Sequence, residues 1–116
     1  MRYGTLLSPP PYNAVYTAEF LQRLESREFR AMATVIREKC TLILAHPYEA
    51  CRSERLKHEW SGKRSGHVDR AVPLIYTICE ECRKLGDQEL NNLDCCLAES
   101  PELTRLTFLT ITRHYR

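Results

Sequence analysis

The stretch WSGKRSGHVDRAVPLIYTIC, residues 60–79, decides the fold because it joins a charged, glycine-containing loop directly to an apolar strand. Its second half alternates between two largely apolar sets of residues, Val72, Leu74, Tyr76 and Ile78 against Pro73, Ile75, Thr77 and Cys79. Apolar residues at both alternating positions predict a buried strand. Pro73 predicts an edge position or a bulge in that strand, because proline cannot donate to a sheet ladder.

The segments around this strand supply the other elements. Residues 12–16, YNAVY, predict a short first strand, and Thr17 is a suitable N-cap for a short helix that contains Phe20, Leu21 and Leu24. Apolar residues at spacings of three and four predict a long amphipathic helix from Glu28 to about Ala45, ended by His46 and Pro47. A polar loop covers residues 48–65, and LTRLTFLTIT, residues 103–112, predicts a closing strand.

This order predicts an α+β fold, with a helical hairpin packed on one face of a small, mainly antiparallel sheet of about four strands. The acidic segment 80–104 has no clear assignment. A chain of 116 residues forms one domain, so residues 1–116 are taken as a single unit. No stretch of about 18 apolar residues and no signal-peptide pattern is present, which predicts a soluble, cytoplasmic protein with no membrane association.

The six cysteines predict reduced thiols, because no secretory signal accompanies them. One alternative stays open at this stage. Cys79 and Cys82 form a C-x-x-C pair, followed by Cys95 and Cys96, which resembles a zinc ribbon except that adjacent cysteines converge poorly on one ion. We therefore expect no metal and no cofactor, with Cys40 and Cys51 as structural residues.

The formal charge of +2 identifies no partner, but the distribution of charge is informative. Six cations lie between residues 52 and 70, and most of the compensating acid lies in residues 80–102. If the closing strand pairs near residues 67–79, the C-terminal RHYR joins this basic loop in one cationic surface. Such a surface suits a phosphate backbone.

The central stretch also resembles a known family. Ten residues in order and spacing resemble the central motif of the RelE/ParE toxin superfamily, closest to its YafQ- and YoeB-like branch: Leu56, Trp60, Gly62, Arg64, His67, Val68, Leu74, Ile75, Tyr76 and Ile78. The first strand, the long helix ending in His-Pro and the terminal ITRHYR also resemble family elements. The resemblance leaves residues 1–11 as an N-terminal extension and residues 80–102 as an insertion in a hairpin that is usually short.

The resemblance implies the toxin of a type II toxin-antitoxin pair. Such a toxin is a ribosome-dependent, metal-independent endoribonuclease that cuts mRNA and is silenced by a cognate antitoxin. Cleavage by the RNA's own 2′-hydroxyl needs a base, an acid and groups that stabilise the phosphate charge. Carry-over from the family implies His67 and His114 as the acid/base pair, because an imidazole has an ordinary pKa of about 6.5.

The same carry-over implies Arg64 at the phosphate, with Asp69 as a catalytic carboxylate. RNA contacts are expected from a further set of cationic and aromatic residues: Lys57, His58, Trp60, Lys63, Arg113 and Tyr115. Two positions depart from the YafQ pattern. Ala71 stands where that branch carries an acid four residues after the strand histidine, so Asp69 is only a nearby substitute. Glu54 stands where an earlier histidine is usual.

Two other functions remain open from the sequence. One is a ParE-like toxin that inhibits DNA gyrase without cleaving RNA, against which the two histidines count. The other is a decayed toxin whose main activity is to bind an antitoxin, for which the missing acid and the insertion are the reasons. In each case the expected partner is an acidic antitoxin peptide that covers His67 and Arg64.

Overall fold

Five strands and three α-helices form the part of the chain that the computed structural model describes, namely residues 12–57, 60, 62–85 and 104–113, with the side chains of 83–85 excepted. In chain order they are β1 (Asn13–Tyr16), α1 (Ala18–Leu24), α2 (Ala33–Ala45), β2 (Glu54–Arg55), β3 (Arg64–Asp69), β4 (Val72–Ile78), α3 (Cys79–Leu85) and β5 (Arg105–Ile111). None of the helices in these ranges has the length and apolar content needed to cross a bilayer.

The strands form one sheet in the order β1-β5-β4-β3-β2. β1 runs parallel to β5, and the other neighbours are antiparallel, so the predicted mainly antiparallel α+β architecture is confirmed. The sheet has five strands instead of about four because β2, only two residues long, lies inside the segment predicted as a polar loop. A two-residue strand leaves no periodicity for the sequence to reveal.

Pro73 lies in β4, between β3 and β5, so the edge position is wrong and the bulge is confirmed. The register of β3 against β4 shifts between His67 and Asp69, directly opposite Pro73 and Val72. A bulge leaves a residue unpaired, which accommodates a proline that has no N–H to donate.

Both helices predicted before the central stretch form, and one of them begins at a later residue than predicted. Thr17 is the N-cap of α1, and its Oγ1 accepts a hydrogen bond from Phe20 N (3.0 Å). The predicted helix from Glu28 begins as a 3₁₀ turn at Arg30–Met32 and becomes α-helical only at Ala33, as is frequent at the N-termini of helices. The helix ends at His46, as predicted.

The core lies between the helices and one face of the sheet, which we call the helix face. Apolar side chains of α1 and α2 pack there on alternate residues of the strands, including Phe20, Ile36, Ile43, Val68, Leu74, Tyr76 and Phe108. The Phe108 ring lies 5.2 Å from that of Tyr16 and 5.5 Å from that of Phe20, measured between centroids. A Cβ on Gly66 would come within 2.9 Å of Ile43 Cδ1, so this strand position holds glycine because the helix approaches closely.

The acidic segment is described only at its beginning. Residues 79–85 form α3, which continues directly from β4. The rest of the expected insertion, residues 86–102, lies outside the described residues, as does the expected N-terminal extension, residues 1–11.

Candidate functional site

The alternation of β3 divides the predicted site residues between the two faces of the sheet. Arg64 pairs with Tyr76 and Gly66 with Leu74, and both partners lie in the core on the helix face. Ser65 pairs with Ile75, and His67 pairs with Pro73, so these side chains lie on the opposite face, which we call the His67 face. Because directly paired residues project to the same side of a sheet, Arg64 and His67 point in opposite directions.

Two polar atoms on the His67 face are buried without a hydrogen-bond partner. They are Ser65 Oγ and His67 Nδ1, and Ser65 is fully buried while the imidazole is half-buried. Each such group costs about 1–3 kcal/mol when it is desolvated without a partner. Two of them lie two residues apart on one face, and because folded proteins leave few buried polar groups unsatisfied, they single out this face as a candidate site.

Glu54 lies beside them, a feature that sequence analysis did not assign to the site. In the β2–β3 ladder Glu54 is directly opposite Ser65, so it shares the His67 face, and its side chain is exposed. The diagonal neighbour of such a pair lies about 7–8 Å away, so Glu54 and His67 are diagonal neighbours on one face of the sheet. The sequence holds one indication that Glu54 belongs to the site, because it stands where the family usually has a histidine. The pairing of its strand with β3 left no pattern in the sequence.

Arg64 has its guanidinium engaged within the protein. Its Nε and Nη2 each donate to the Glu81 carboxylate at 2.9 Å, to Oε1 and Oε2 respectively, and its Nη1 donates to Ser53 Oγ at 3.0 Å. The guanidinium also lies 4.9 Å from the centre of the Tyr48 ring. Arg64 is 9% exposed and Glu81 is 8% exposed. Because the Arg64 side chain is buried on the helix face, it does not reach a phosphate bound beside His67.

Three tyrosines near the start of α3 have raised pKa values. Tyr12 and Tyr48 both donate from Oη to Glu80 Oε2, at 2.6 and 2.7 Å. Burial, and then the hydrogen bond to Glu80, raises the pKa of Tyr12 to about 12 and raises that of Tyr48 above its ordinary value. Burial also raises the pKa of Tyr76 to about 12, against the opposing hydrogen bond with Ser53.

Three predicted RNA contacts come together in the hairpin between β2 and β3. Leu56 N donates to Lys63 O (2.9 Å), Trp60 N to Lys57 O (3.1 Å) and Lys63 N to Trp60 O (3.1 Å). Gly62, with a φ of 88°, makes the turn that this hairpin needs. Lys57 is exposed, and Trp60 and Lys63 are half-buried, so the hairpin carries two cations and one aromatic ring.

Two further predicted residues have local partners. Asp69 Oδ1 accepts a hydrogen bond from Ala71 N (2.8 Å), so this exposed carboxylate closes the turn between β3 and β4. Arg113 Nε donates to Glu28 Oε2 (2.9 Å), and its guanidinium lies over the Phe29 ring. Arg113 therefore contacts the segment before α2, and the structure does not bring it to the β2–β3 hairpin.

The remaining predicted residues, His58, His114 and Tyr115, lie outside the described residues, as do Cys95 and Cys96. Cys79 and Cys82 are buried, and Cys82 Sγ donates to Gly62 O (3.5 Å). Within the described ranges no three His, Cys, Asp or Glu side chains are grouped as a metal site would require. Burial raises the pKa of Cys40 to about 12, in keeping with its predicted structural position.

Comparisons with known proteins place this fold among toxins. The structure is similar to a YoeB/ParE toxin from Agrobacterium tumefaciens, with a TM-score of 0.59 and 16% identity over 89% of this chain and 99% of that one. It is similar to YafQ from E. coli, with a TM-score of 0.56 and 16% identity over 89% and 93% of the two chains. It is also similar to the toxin-antitoxin complex RelBE2 from Mycobacterium tuberculosis, with a TM-score of 0.56 and 17% identity over 90% and 99%.

No protein-family model matches the sequence. No curated protein sequence matches it either. The structural likeness shows that the chain has the fold of the RelE/ParE toxin superfamily, as its central motif predicted.

Proposed function

We propose that the chain is the toxin of a type II toxin-antitoxin pair, a ribosome-dependent endoribonuclease that cleaves mRNA through the 2′-hydroxyl. The observation that carries this proposal is the His67 face. A half-buried imidazole, a buried hydroxyl and an exposed carboxylate converge there, and two of the three have polar atoms without partners. RNA is the proposed ligand of this surface because the central motif resembles the YafQ- and YoeB-like branch of the superfamily.

In this proposal His67 and Glu54 act as acid and base on opposite sides of the scissile phosphate. One takes the proton of the 2′-hydroxyl, and the other gives a proton to the leaving 5′-oxygen, so a cyclic phosphate and a free 5′-hydroxyl result. Glu54 supplies the carboxylate that the sequence assigned to Asp69, which is instead the cap of a turn. His114 stays a prediction as the second histidine of the acid/base pair. Asp69 also stays a prediction as a catalytic carboxylate, although Glu54 is preferred for that role.

RNA binding is assigned to the β2–β3 hairpin. Lys57 and Lys63 would contact phosphates, and Trp60 would stack on a base. These residues sit at the end of the ladder that carries Glu54 and Ser65, so the hairpin adjoins the proposed site. His58 and Tyr115 remain predicted RNA contacts from the sequence, and Arg113 would need to leave Glu28 to act as one.

The test uses purified protein, translating ribosomes and a defined mRNA. We expect cuts in the decoding site from the wild type, and a loss of about 100-fold or more in His67→Ala and Glu54→Gln, since general acid–base groups contribute about 10² to 10⁴. His46→Ala is the matched control, because that histidine ends α2 and lies in no part of the proposed site. Cuts that persist in His67→Ala would contradict the proposed chemistry.

A binding toxin, either ParE-like or decayed, is the second candidate. The engagement of Arg64 by Glu81 favours it, because the phosphate-stabilising cation expected from the family motif is occupied within the fold. This alternative predicts growth arrest, or antitoxin binding alone, from a folded wild type that cuts no RNA. Growth arrest that survives both His67→Ala and Glu54→Gln would support a target other than mRNA.

The expected partner is a cognate antitoxin, as in the RelBE2 complex, which pairs a toxin with an antitoxin. We propose that an acidic segment of it covers His67 and the cationic β2–β3 hairpin; contact with Arg64 is no longer expected, because Arg64 is buried. Hydrogen exchange in a purified complex tests this placement. Unchanged protection of the β2–β3 hairpin on complex formation would refute it.

A further inference from the structure

β2 is too short to fix its own position. It has two residues, and among the described strands it pairs with β3 alone. A short two-stranded ladder is marginal in water without support from packing. The proposed function nevertheless requires Glu54, the first residue of β2, to stay in one place relative to His67.

Ser53 fixes the chain on the N-terminal side of Glu54. Its Oγ lies 2.9 Å from Pro47 O and 2.6 Å from Tyr76 Oη, and it accepts a hydrogen bond from Arg64 Nη1 (3.0 Å). Tyr76 is itself fully buried and donates from Oη to Pro47 O (2.6 Å). One hydroxyl therefore joins the end of α2, the central strand β4 and the start of β3.

Arg55 is held on the C-terminal side of Glu54. It lies directly opposite Arg64 in the ladder, and two like charges in that position repel. The Glu81 carboxylate relieves the repulsion, because it binds Arg64 in a bidentate manner and lies 4.0 Å from Arg55 Nε. A single acid from α3 thus contacts both cations that the β2 register brings together and reduces their repulsion.

The backbone just before Ser53 also needs support. Cys51 and Arg52 have φ values of 59° and 58°, the left-handed region that residues other than glycine rarely adopt. Such conformations persist where surrounding contacts impose them, and they occur often beside functional sites. Here they redirect the chain after α2 so that Glu54 meets Ser65.

We propose that Ser53, Arg64 and Glu81 are positioning residues for Glu54. Their hydrogen bonds and ion pairs on the helix face fix the position of β2, and this keeps the Glu54 carboxylate on the opposite, His67 face. This inference rests on the proposed nuclease function for its catalytic consequence, but its structural part is tested separately. It also gives Arg64 a role that does not require contact with RNA.

Hydrogen exchange tests whether these contacts fix the position of β2, and it needs no nuclease assay. The reporter is the Leu56 amide, whose bond to Lys63 O closes the hairpin after β2. Ser53→Ala is expected to speed its exchange about fivefold or more, the equivalent of one hydrogen bond of about 1 kcal/mol. Thr41→Ala, which removes an exposed hydroxyl bond on α2, should leave this amide unchanged. Equal protection of Leu56 in Ser53→Ala and the wild type would overturn the proposal.

A double-mutant cycle tests the catalytic consequence. Ser53→Ala should lower kcat by about 10-fold to 100-fold with KM little changed, since small misplacements of a reacting group have effects of this size. In a Glu54→Gln background the same change should have no further effect, because its action runs through Glu54. An equal loss in both backgrounds would overturn the positioning role.

Arg64→Lys is the second variant, in case Ser53→Ala folds poorly. Lysine keeps the charge but not the planar fork that binds Glu81 and Ser53 together, so it should give the same pattern. If the wild type cleaves no RNA, the proposed function fails, and Leu56 exchange in Ser53→Ala and Arg64→Lys still decides whether the network holds β2.

Discussion

At the residue scale, Ser65 places an unsatisfied hydroxyl beneath the proposed site. Its hydroxyl is buried without a hydrogen-bond partner, so Ser65→Ala removes an unsatisfied group. We expect the free energy of unfolding to rise by about 1 kcal/mol and RNA cleavage to stay near the wild-type rate, because a fully buried hydroxyl does not reach RNA. Chemical denaturation and the ribosome assay measure the two effects.

Ser26→Ala is the matched control for that prediction. The Ser26 hydroxyl donates to Arg23 O (2.6 Å) and accepts from Phe29 N (3.3 Å), so it is satisfied and lies between the two helices. Its removal should lower stability slightly and leave cleavage unchanged. A Ser65→Ala protein that is less stable than the wild type would show that the hydroxyl has a partner in solution.

At the scale of elements, Thr17 connects α1 to the sheet. Its Oγ1 accepts from Phe20 N (3.0 Å) as the N-cap and donates to Leu109 O (2.6 Å) on β5. Thr17→Ala removes both bonds, and we expect it to lower the free energy of unfolding by about 1–2 kcal/mol. Thr17→Ser keeps both hydroxyl bonds and should recover most of the loss; equal losses in the two variants would point to the methyl group instead.

The contact of α3 with the sheet depends on the Arg64–Glu81 pair. Glu81→Ala leaves the Arg64 charge buried and unpaired, so we expect a loss of about 3–5 kcal/mol, measured by denaturant unfolding. Replacing both residues, as in Arg64→Met with Glu81→Met, should recover most of it because no charge stays buried. A double variant as unstable as Glu81→Ala would show that hydrogen bonding to Ser53 dominates.

At the scale of the whole molecule, tyrosine and cysteine side chains whose pKa is raised by desolvation set an alkaline limit to stability. The pKa is raised to about 12 for Tyr12 and Tyr76, from an ordinary 10, and for Cys40, from an ordinary 9. The folded state therefore holds these protons longer than the unfolded state does. Their contribution is fully present below about pH 9 and is lost as the pH rises toward 12.

Urea unfolding between pH 9 and pH 12 measures this limit. Tyr76→Phe removes one of the titrating groups, so the decline in its stability with pH should be shallower than in the wild type. The expected difference is in the slope, because the lost hydrogen bond to Pro47 lowers stability at every pH. Parallel pH profiles of the two proteins would mean that Tyr76 ionises normally in the fold.

The sequence by itself determined the elements that depend on local order. Alternation in residues 72–79 predicted β4, helical spacing predicted α2 with its end at His46, and Thr17 predicted the start of α1. The order and spacing of the central motif also predicted the toxin fold. These features are readable because a helix or strand leaves its period in consecutive residues.

Only the tertiary structure decided how the site is assembled. Arg64 was predicted in the polar loop of residues 48–65, but it is the first residue of β3, and that strand sends Arg64 and His67 to opposite faces. Glu54 and Glu81 acquire their partners across 11 and 17 residues, through the β2–β3 register and the direction of α3. A pairing of that kind is set by the energy of the whole packed molecule, and no local period records it.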